Sequence, residues 1–186
     1  MTASSFLKPE HQSQLEKGIK KGSRFVKLSK IKSEKRLRFV GQGITGVQAW
    51  TEPEEGQEYG TPINWEIAPK ELPENLQVDK KGEPKLTPFL AGVVWDYDLE
   101  EFWCIQITQK TINEVIFNNL RDPDYGDPQN YDIKIRVKEE DGFTKYSTSP
   151  TPPMPLSKKV QAAWEEEGHK INIFALYDNK DPFADV

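Results

Sequence analysis

Cysteine and histidine are scarce in this chain of 186 residues, which contains one cysteine, Cys104, and two histidines, His11 and His169. A single cysteine cannot form an internal disulfide, and these three residues are too few for the four ligands of a structural zinc site. We therefore expect neither a disulfide framework nor bound zinc, and the sequence indicates no other cofactor.

Long apolar runs are also missing. The first residues, MTASSFLKPEHQ, contain no basic segment followed by an apolar core, so they lack the pattern of a signal peptide. No stretch approaches the about 20 consecutive apolar residues that a membrane-spanning helix needs. We therefore expect a cytoplasmic protein without membrane contact.

Sequence motifs of catalysis are absent or incomplete. There is no G-x-x-x-x-G-K-[ST] loop and no G-x-S-x-G motif, and no histidine is placed plausibly against Cys104, which lies in an apolar run. GQGITG (41–46) matches G-x-G-x-x-G, but the β-prone run VQAWTEP follows it instead of a helix. DPDYGDP (122–128) has the aspartates of a calcium loop, but Ile133 stands where a bidentate Glu is needed. The sequence therefore predicts a protein that is not an enzyme.

Charged and aromatic side chains are what the sequence offers instead. Charged residues make up 30% of the chain, aromatic residues 11% and hydrophobic residues 35%, which is typical of a globular protein rather than a disordered one. At this length we expect a single hydrophobic core.

Opposite charges are segregated along the chain. Residues 1–40 hold eleven Lys or Arg and three Glu, a net charge of +8, whereas residues 41–186 carry −13. A basic arm on an acidic body usually contacts a polyanion, although a solvated terminus is the simpler alternative. We predict three parts: a polar, basic N-terminal arm (1–22), a folded domain (23–176) and an acidic C-terminal tail (177–186).

Hydrophobic periodicity predicts a mainly β fold. Apolar and polar residues alternate with period 2 in several short runs, and two runs have the 3.6-residue period of helices. The order of the elements is that of an OB-fold-like β-barrel, with a helix between strands 3 and 4 and a second helix near the C-terminus. The predicted elements are short strands at 24–29 and 35–42, an extended segment at 43–52, a surface insertion at 52–87, hairpins at 88–109 and 130–150, and helices at 110–122 and 156–168.

Cations alternate with apolar residues in the predicted strands, and tryptophans lie close to them in the sequence. Ile133 and Ile135 alternate with Lys134 and Arg136, a pattern that sends the cations to one face of a strand. Phosphates require Lys or Arg, and unpaired bases stack on flat side chains, so this combination indicates a single-stranded nucleic acid. The candidate nucleic-acid-binding residues are Arg36, Arg38, Trp50, Trp65, Trp95, Lys110, Lys134, Arg136, Lys145 and Tyr146.

The tryptophans leave an alternative open, because a Trp in a strand is more often a core residue than a stacking platform. Trp50 and Trp65 flank the polar insertion, so we expect these two to stack on bases. Trp103 shares a strand face with Ile105 and Ile107, so we expect it in the core.

An ordered series of motifs resembles the core of a family of tailed-phage single-stranded DNA-binding proteins. The series is VWDY (94–97), ITQKTI (107–112), DYGDP (124–128), YDIKI (131–135) and TKYSTSP (144–150), preceded by RLRFVGQGITGVQAW and followed by LYDNKDPF. The resemblance implies an OB-fold that binds single-stranded DNA during replication, recombination or repair, in the cytoplasm of a host cell. Related phage proteins carry a zinc ribbon, which this chain cannot build.

The C-terminal residues resemble the acidic partner-binding tail of bacterial single-strand binding proteins. Asp181, Phe183 and Asp185 would form this tail and recruit replication or recombination proteins, or compete with DNA for its binding site. The alternative is that Phe183 docks on its own barrel, as terminal aromatic residues often do. Residues 184–186 follow Phe183, so a pocket that recognises a terminal Phe carboxylate would not accept the tail unchanged.

The sequence as a whole predicts a sequence-tolerant protein that coats and protects single-stranded DNA. A protein–protein interaction module and an RNA-binding OB-fold protein remain the alternatives, and the oligomeric state stays open.

Overall fold

The computed structural model describes residues 24–186, so the predicted arm at 1–22 lies outside the described residues. These residues form one six-stranded sheet with two α-helices, and the predicted mainly β composition is confirmed. The elements are β1 (Glu34–Trp50), β2 (Pro62–Trp65), β3 (Thr87–Asp96), β4 (Glu101–Ile107), α1 (Lys110–Arg121), β5 (Asp132–Glu140), β6 (Phe143–Pro150) and α2 (Lys158–Glu167).

The strands follow the order β4–β3–β1–β5–β6, and β2 pairs with the far end of β1. Every strand pair is antiparallel. Within residues 24–186, β4 and β6 do not pair with each other, so the sheet is open at these two strands. The free edge of β4 is instead bonded to the start of the described chain, where Val26 N donates to Cys104 O (2.8 Å) and Cys104 N donates to Arg24 O (2.7 Å). The strand predicted at 24–29 is reduced to this short contact with β4, and a 3-10 turn (Leu28–Lys30) follows it.

The long strand β1 joins the short strand predicted at 35–42 and the extended segment predicted at 43–52 into one element. A bulge between Val40 and Ile44 interrupts its pairing with β3, and Gly41 within the bulge has a φ of +63°. Such a bulge bends a strand without ending it. The first half of β1 therefore pairs with β5, and the last residues pair with β2.

Both faces of the sheet carry a hydrophobic core. On one face, which we call the inner face, Leu37, Phe39, Ile133 and Ile135 pack against the buried side of α1, which contributes Ile112 and Ile116. On the other, the outer face, the side chains of β3 and β4 are covered by α2 and by the C-terminal residues. Burial on both faces explains why β3 is an almost continuous apolar run.

The insertion at 52–87 is mostly exposed, as predicted, but it is fixed to the end of β1. Gln77 N donates to Trp50 O (2.7 Å) and Glu52 N donates to Asn75 O (2.7 Å), while Leu76 is buried.

The C-terminal residues pack on the outer face, which corrects the prediction of a free acidic tail. Phe183 is only 7% exposed, with the Arg24 guanidinium carbon 5.4 Å from its ring centroid. Pro182 O accepts a hydrogen bond from Asn172 N (2.9 Å), and Asn179 Oδ1 accepts one from Asn64 N (2.9 Å). A buried aromatic ring is not available to a partner protein, so Asp181 and Asp185 flank an anchor instead of a free recognition motif.

None of the helices between residues 24 and 186 is long and apolar enough to cross a membrane.

Candidate nucleic-acid interface

The register of β1, β5 and β6 brings five cations together on the outer face. Arg36 pairs with Lys134, and Lys138 pairs with Lys145, while Arg136 lies between the two lysines on β5. Alternation along a strand sends residues 134, 136 and 138 to the same side, away from the inner core. We call this group the basic face, and it consists of Arg36, Lys134, Arg136, Lys138 and Lys145.

Three of these cations have carboxylate partners. Arg36 contacts Asp132, Arg136 Nε lies 2.6 Å from Glu34 Oε2, and Lys145 Nζ lies 2.8 Å from Glu140 Oε2. Among the residues that the structure describes, no carboxylate oxygen lies within 4 Å of the amino group of Lys134 or Lys138. Exposed ion pairs contribute little stability, so phosphates could displace Glu34 and Glu140 at small cost.

The spacing of the basic face suits a linear polyanion. Successive cations on β5 are two residues apart, which corresponds to roughly 6.8 Å along an antiparallel strand. On β6, Ser149 faces Lys134 and Ser147 faces Arg136, and the short serine side chains leave room beside these two cations. The hydroxyl of Ser149 accepts a hydrogen bond from Arg136 Nη1 (3.1 Å), which helps to orient the guanidinium.

Two aromatic rings that were not among the predicted site residues border the basic face. Phe143 is 72% exposed at the tip of the β5–β6 hairpin, and it pairs with Glu140 on the same face as Lys145. Tyr97 lies under Arg36, whose guanidinium carbon is 4.7 Å from the ring centroid. The alternation of Phe143 with Lys145 directly after a turn was the sequence signal for the first ring.

The buried carboxylate of Asp132 holds Arg36, which lies at the edge of the basic face. This carboxylate accepts hydrogen bonds from Arg38 Nε (2.5 Å), Arg36 Nε (2.6 Å) and the Tyr97 hydroxyl (2.9 Å). Burial acts to raise the pKa of Asp132, but the hydrogen bonds from Arg38, Arg36 and Tyr97 outweigh burial and lower the pKa below its usual value. Burial and the hydrogen bond to Asp132 raise the pKa of Tyr97. The group is therefore an ionised carboxylate held by two guanidinium groups.

Arg38 belongs to the interior, which corrects its prediction as a DNA contact. Its side chain is 1% exposed, and besides Asp132 its Nη1 donates to Gln129 O (2.9 Å) and Met154 O (3.0 Å). The chain at Met154 lies against this guanidinium, so it cannot reach a phosphate.

The tryptophans are distributed differently from the prediction. Trp95 is 4% exposed and packs edge-on against Phe102, with ring centroids 4.9 Å apart, so it is a core residue rather than a stacking platform. Trp50 is 41% exposed and Trp65 is half-buried, but they lie at the opposite end of β1 from the basic face. Trp103, predicted in the core, does pack against the inner core, but it is half-buried and borders a cavity near the start of β1.

Two further predicted residues lie apart from the basic face. Lys110 is the exposed first residue of α1 and contacts Glu114 (3.6 Å). Tyr146 pairs with Val137 and packs against the inner core, on the opposite side of β6 from Lys145. The structure therefore brings together Arg36, Lys134, Arg136 and Lys145 out of the ten predicted residues.

The described residues contain no group of three or more His, Cys, Asp or Glu side chains that could hold a metal ion. Comparison of the chain with protein-family models, curated proteins and solved structures finds no match. A function is therefore inferred from the basic face and its surroundings.

Proposed function

We propose that this chain is a non-enzymatic, sequence-tolerant single-stranded DNA-binding protein, and that the basic face holds the DNA backbone. The observation that supports this most strongly is the pair Lys134 and Lys138. Neither has a carboxylate partner among residues 24–186, and both lie in line with three more cations on an exposed strand face.

Single-stranded rather than duplex DNA fits the surroundings of this face. Phe143 offers an exposed ring at one end of the cation row, and unpaired bases can stack on such a ring. Contacts to phosphates carry no sequence information, so binding through this surface would be sequence-tolerant.

The strand order supports an OB-like barrel as the scaffold. A long bent first strand pairs with two hairpins, and a helix connects them, which is the arrangement of a five-stranded OB-fold. Here the gap between β4 and β6 is partly filled by residues 24–26 on the edge of β4. The barrel would be a variant in which a preceding segment takes part in closure.

The motif YDIKI, which contributes to the resemblance to phage single-stranded DNA-binding proteins, contributes directly to the basic face. Its Asp132 binds Arg36 and Arg38, and its Lys134 is one of the two cations without a carboxylate partner. The resemblance and the geometry therefore support the same role, in which the chain coats single strands during phage replication, recombination or repair.

The test is the double substitution Lys134→Ala with Lys138→Ala, measured by fluorescence anisotropy with a labelled dT oligonucleotide at several salt concentrations. We expect weaker binding and a log–log salt slope less negative by up to about 1.4, because each phosphate neutralised on a single strand contributes about 0.7. Since neither side chain is buried, the free energy of unfolding should change by less than about 0.5 kcal/mol.

The matched control is Lys80→Ala with Lys81→Ala, two exposed lysines of the insertion, which removes the same charge far from the basic face. Duplex DNA and RNA of the same length, titrated in the same assay, separate single-stranded DNA binding from the alternatives. A folded Lys134/Lys138 variant with unchanged affinity and slope would contradict the proposed role of this face.

A further inference from the structure

A cavity of about 540 Å³ lies where the segment before β1 crosses the end of the sheet. Phe25, Ile31 and Trp103 form apolar parts of its wall, and Lys27, Lys30 and Lys32 line it from the segment before β1. A volume of this size is typical of pockets that hold a small organic ligand.

The charges around the cavity are unbalanced. Lys27, Lys30 and Lys32 are exposed, and in the chain from Arg24 onwards none has a carboxylate oxygen within 4 Å of its amino group. The three carboxylates that line the cavity are by contrast already paired, Asp96 and Asp98 with Lys35 (2.7 and 3.4 Å) and Glu34 with Arg136 (2.6 Å). The exposed part of the cavity therefore favours an anion, whereas its wall is apolar.

Trp103 supplies a flat surface. Its side chain is half-buried, and its indole Nε1 is a buried atom with no hydrogen-bond partner among the described residues. Because Nε1 has almost no accessible surface, the contribution of Trp103 to the cavity is its ring and not a hydrogen-bond donor.

The cavity adjoins the basic face. Val137 N donates to Ser33 O (2.8 Å), and Arg136 contacts Glu34. Ser33 and Glu34, which both line the cavity, therefore run alongside β5. A strand that follows the cations of β5 on the outer face would enter the cavity by passing round the edge of the sheet at Ser33 and Glu34, because Trp103 lies on the inner side.

We propose that this cavity takes one nucleotide of the bound single strand, with its base against Trp103 and its phosphate near Lys27, Lys30 and Lys32. This inference rests on the proposed function, because it places the base of a strand whose backbone lies on the basic face. A nucleotide is both flat and anionic, and the cavity combines an aromatic wall with three exposed cations.

The experiment is photo-crosslinking with dT oligonucleotides that carry a single 5-iododeoxyuridine, moved along the strand one position at a time. We expect one or two positions to crosslink to Trp103 or Phe25, identified by mass spectrometry of the digested complex. If the oligonucleotides bind but crosslink only outside the cavity, the cavity proposal is overturned and the proposed function stands. If the full chain binds no single-stranded oligonucleotide, both are overturned.

Affinity measurements on variants provide an independent readout. An abasic site at the crosslinking position should weaken binding to the unmodified chain by roughly five- to 150-fold, which corresponds to the about 1 to 3 kcal/mol that stacking of one base contributes. Lys27→Glu with Lys30→Glu should weaken binding of the intact oligonucleotide at least about tenfold, and the exposed pair Lys80→Glu with Lys81→Glu is the charge-matched control. Equal losses in the two pairs, or no effect of the abasic site, would contradict a nucleotide in the cavity.

Discussion

At the scale of single residues, Asp132 shows how one buried carboxylate can organise an exposed surface. It is 0% exposed and accepts hydrogen bonds from Arg36 and Arg38 of β1 and from Tyr97 after β3. Through Arg36 the carboxylate fixes one member of the basic face, and through Arg38 it satisfies a guanidinium that is itself buried. Loss of the carboxylate would leave that guanidinium uncompensated, which is one of the costliest changes a protein can undergo.

Asp132→Asn should therefore lower the free energy of unfolding by roughly 3 kcal/mol, the usual cost of breaking a buried ion pair from one side. Urea denaturation at pH 7 measures this loss, and Asp98→Asn is the control because Asp98 is 66% exposed and should change stability by less than about 1 kcal/mol. The lowered pKa also sets the direction in which stability changes with pH. The contribution of the Asp132 carboxylate to the free energy of unfolding is fully present above its ordinary pKa of 3.8 and is lost as the pH falls through the lower folded pKa. The stability difference between the unmodified chain and Asp132→Asn should shrink below about pH 4, and a difference that stays constant down to pH 2 would contradict the assignment.

The alternation of residues along the strands predicted which side chains share a face, but it did not predict their depth. Arg36 and Arg38 are on the same side of β1, yet the first is at the rim and the second lies under the chain at Met154. Trp95, predicted to stack on bases, is buried in the outer core, whereas Trp103 packs against the inner core as predicted but is only half-buried. Alternation along β3 and β4 does not show how deeply each side chain is buried, because the segments that cover the two faces come from distant parts of the chain.

At the scale of elements, local sequence signals predicted the two hairpins and both α-helices to within a few residues. The docking of the C-terminal residues had no such signal. It depends on long-range contacts, such as the hydrogen bond from the Tyr177 hydroxyl to Thr45 O (2.6 Å) and that from Asn64 N to Asn179 Oδ1. The polar composition of YDNKDPFADV (177–186) indicated a free tail, although two of its residues, Pro182 and Phe183, are buried.

The docked C-terminal residues lead to a prediction opposite to that of a competing tail. Phe183→Ala should lower the free energy of unfolding by roughly 3 kcal/mol, because the ring fills a site in the outer core, and the affinity of the folded protein for oligonucleotides should stay unchanged. Thermal denaturation and anisotropy on the same preparation measure both quantities. Asp185→Asn is the matched control for charge, since this side chain is exposed and its loss should alter neither. A gain in affinity at low salt for either variant would instead indicate that the tail competes with DNA.

At the scale of the whole molecule, the basic face lies on an acidic body. Residues 24–186 carry a net charge of −7, whereas residues 1–23 carry +2, with lysines at 8, 17, 20 and 21. At physiological ionic strength the Debye length is about 8 Å, so the cations next to a phosphate outweigh more distant carboxylates. At low salt the repulsion from the body reaches further, and cations at the N-terminus would then matter more for binding.

Deletion of residues 2–22 should therefore weaken oligonucleotide binding, with a log–log salt slope less negative by up to about 3, because up to four phosphate contacts would be lost at about 0.7 each. Anisotropy titrations at 50, 100 and 200 mM salt measure the slope. A full-length variant with the four lysines changed to Gln separates the effect of charge from that of length, and it should reproduce the slope of the deletion. If both variants keep the slope of the unmodified chain, the N-terminal cations do not contact DNA. The acidic body would then bind single strands through the basic face and the cavity alone, and the total slope would be limited to the cations of those two sites.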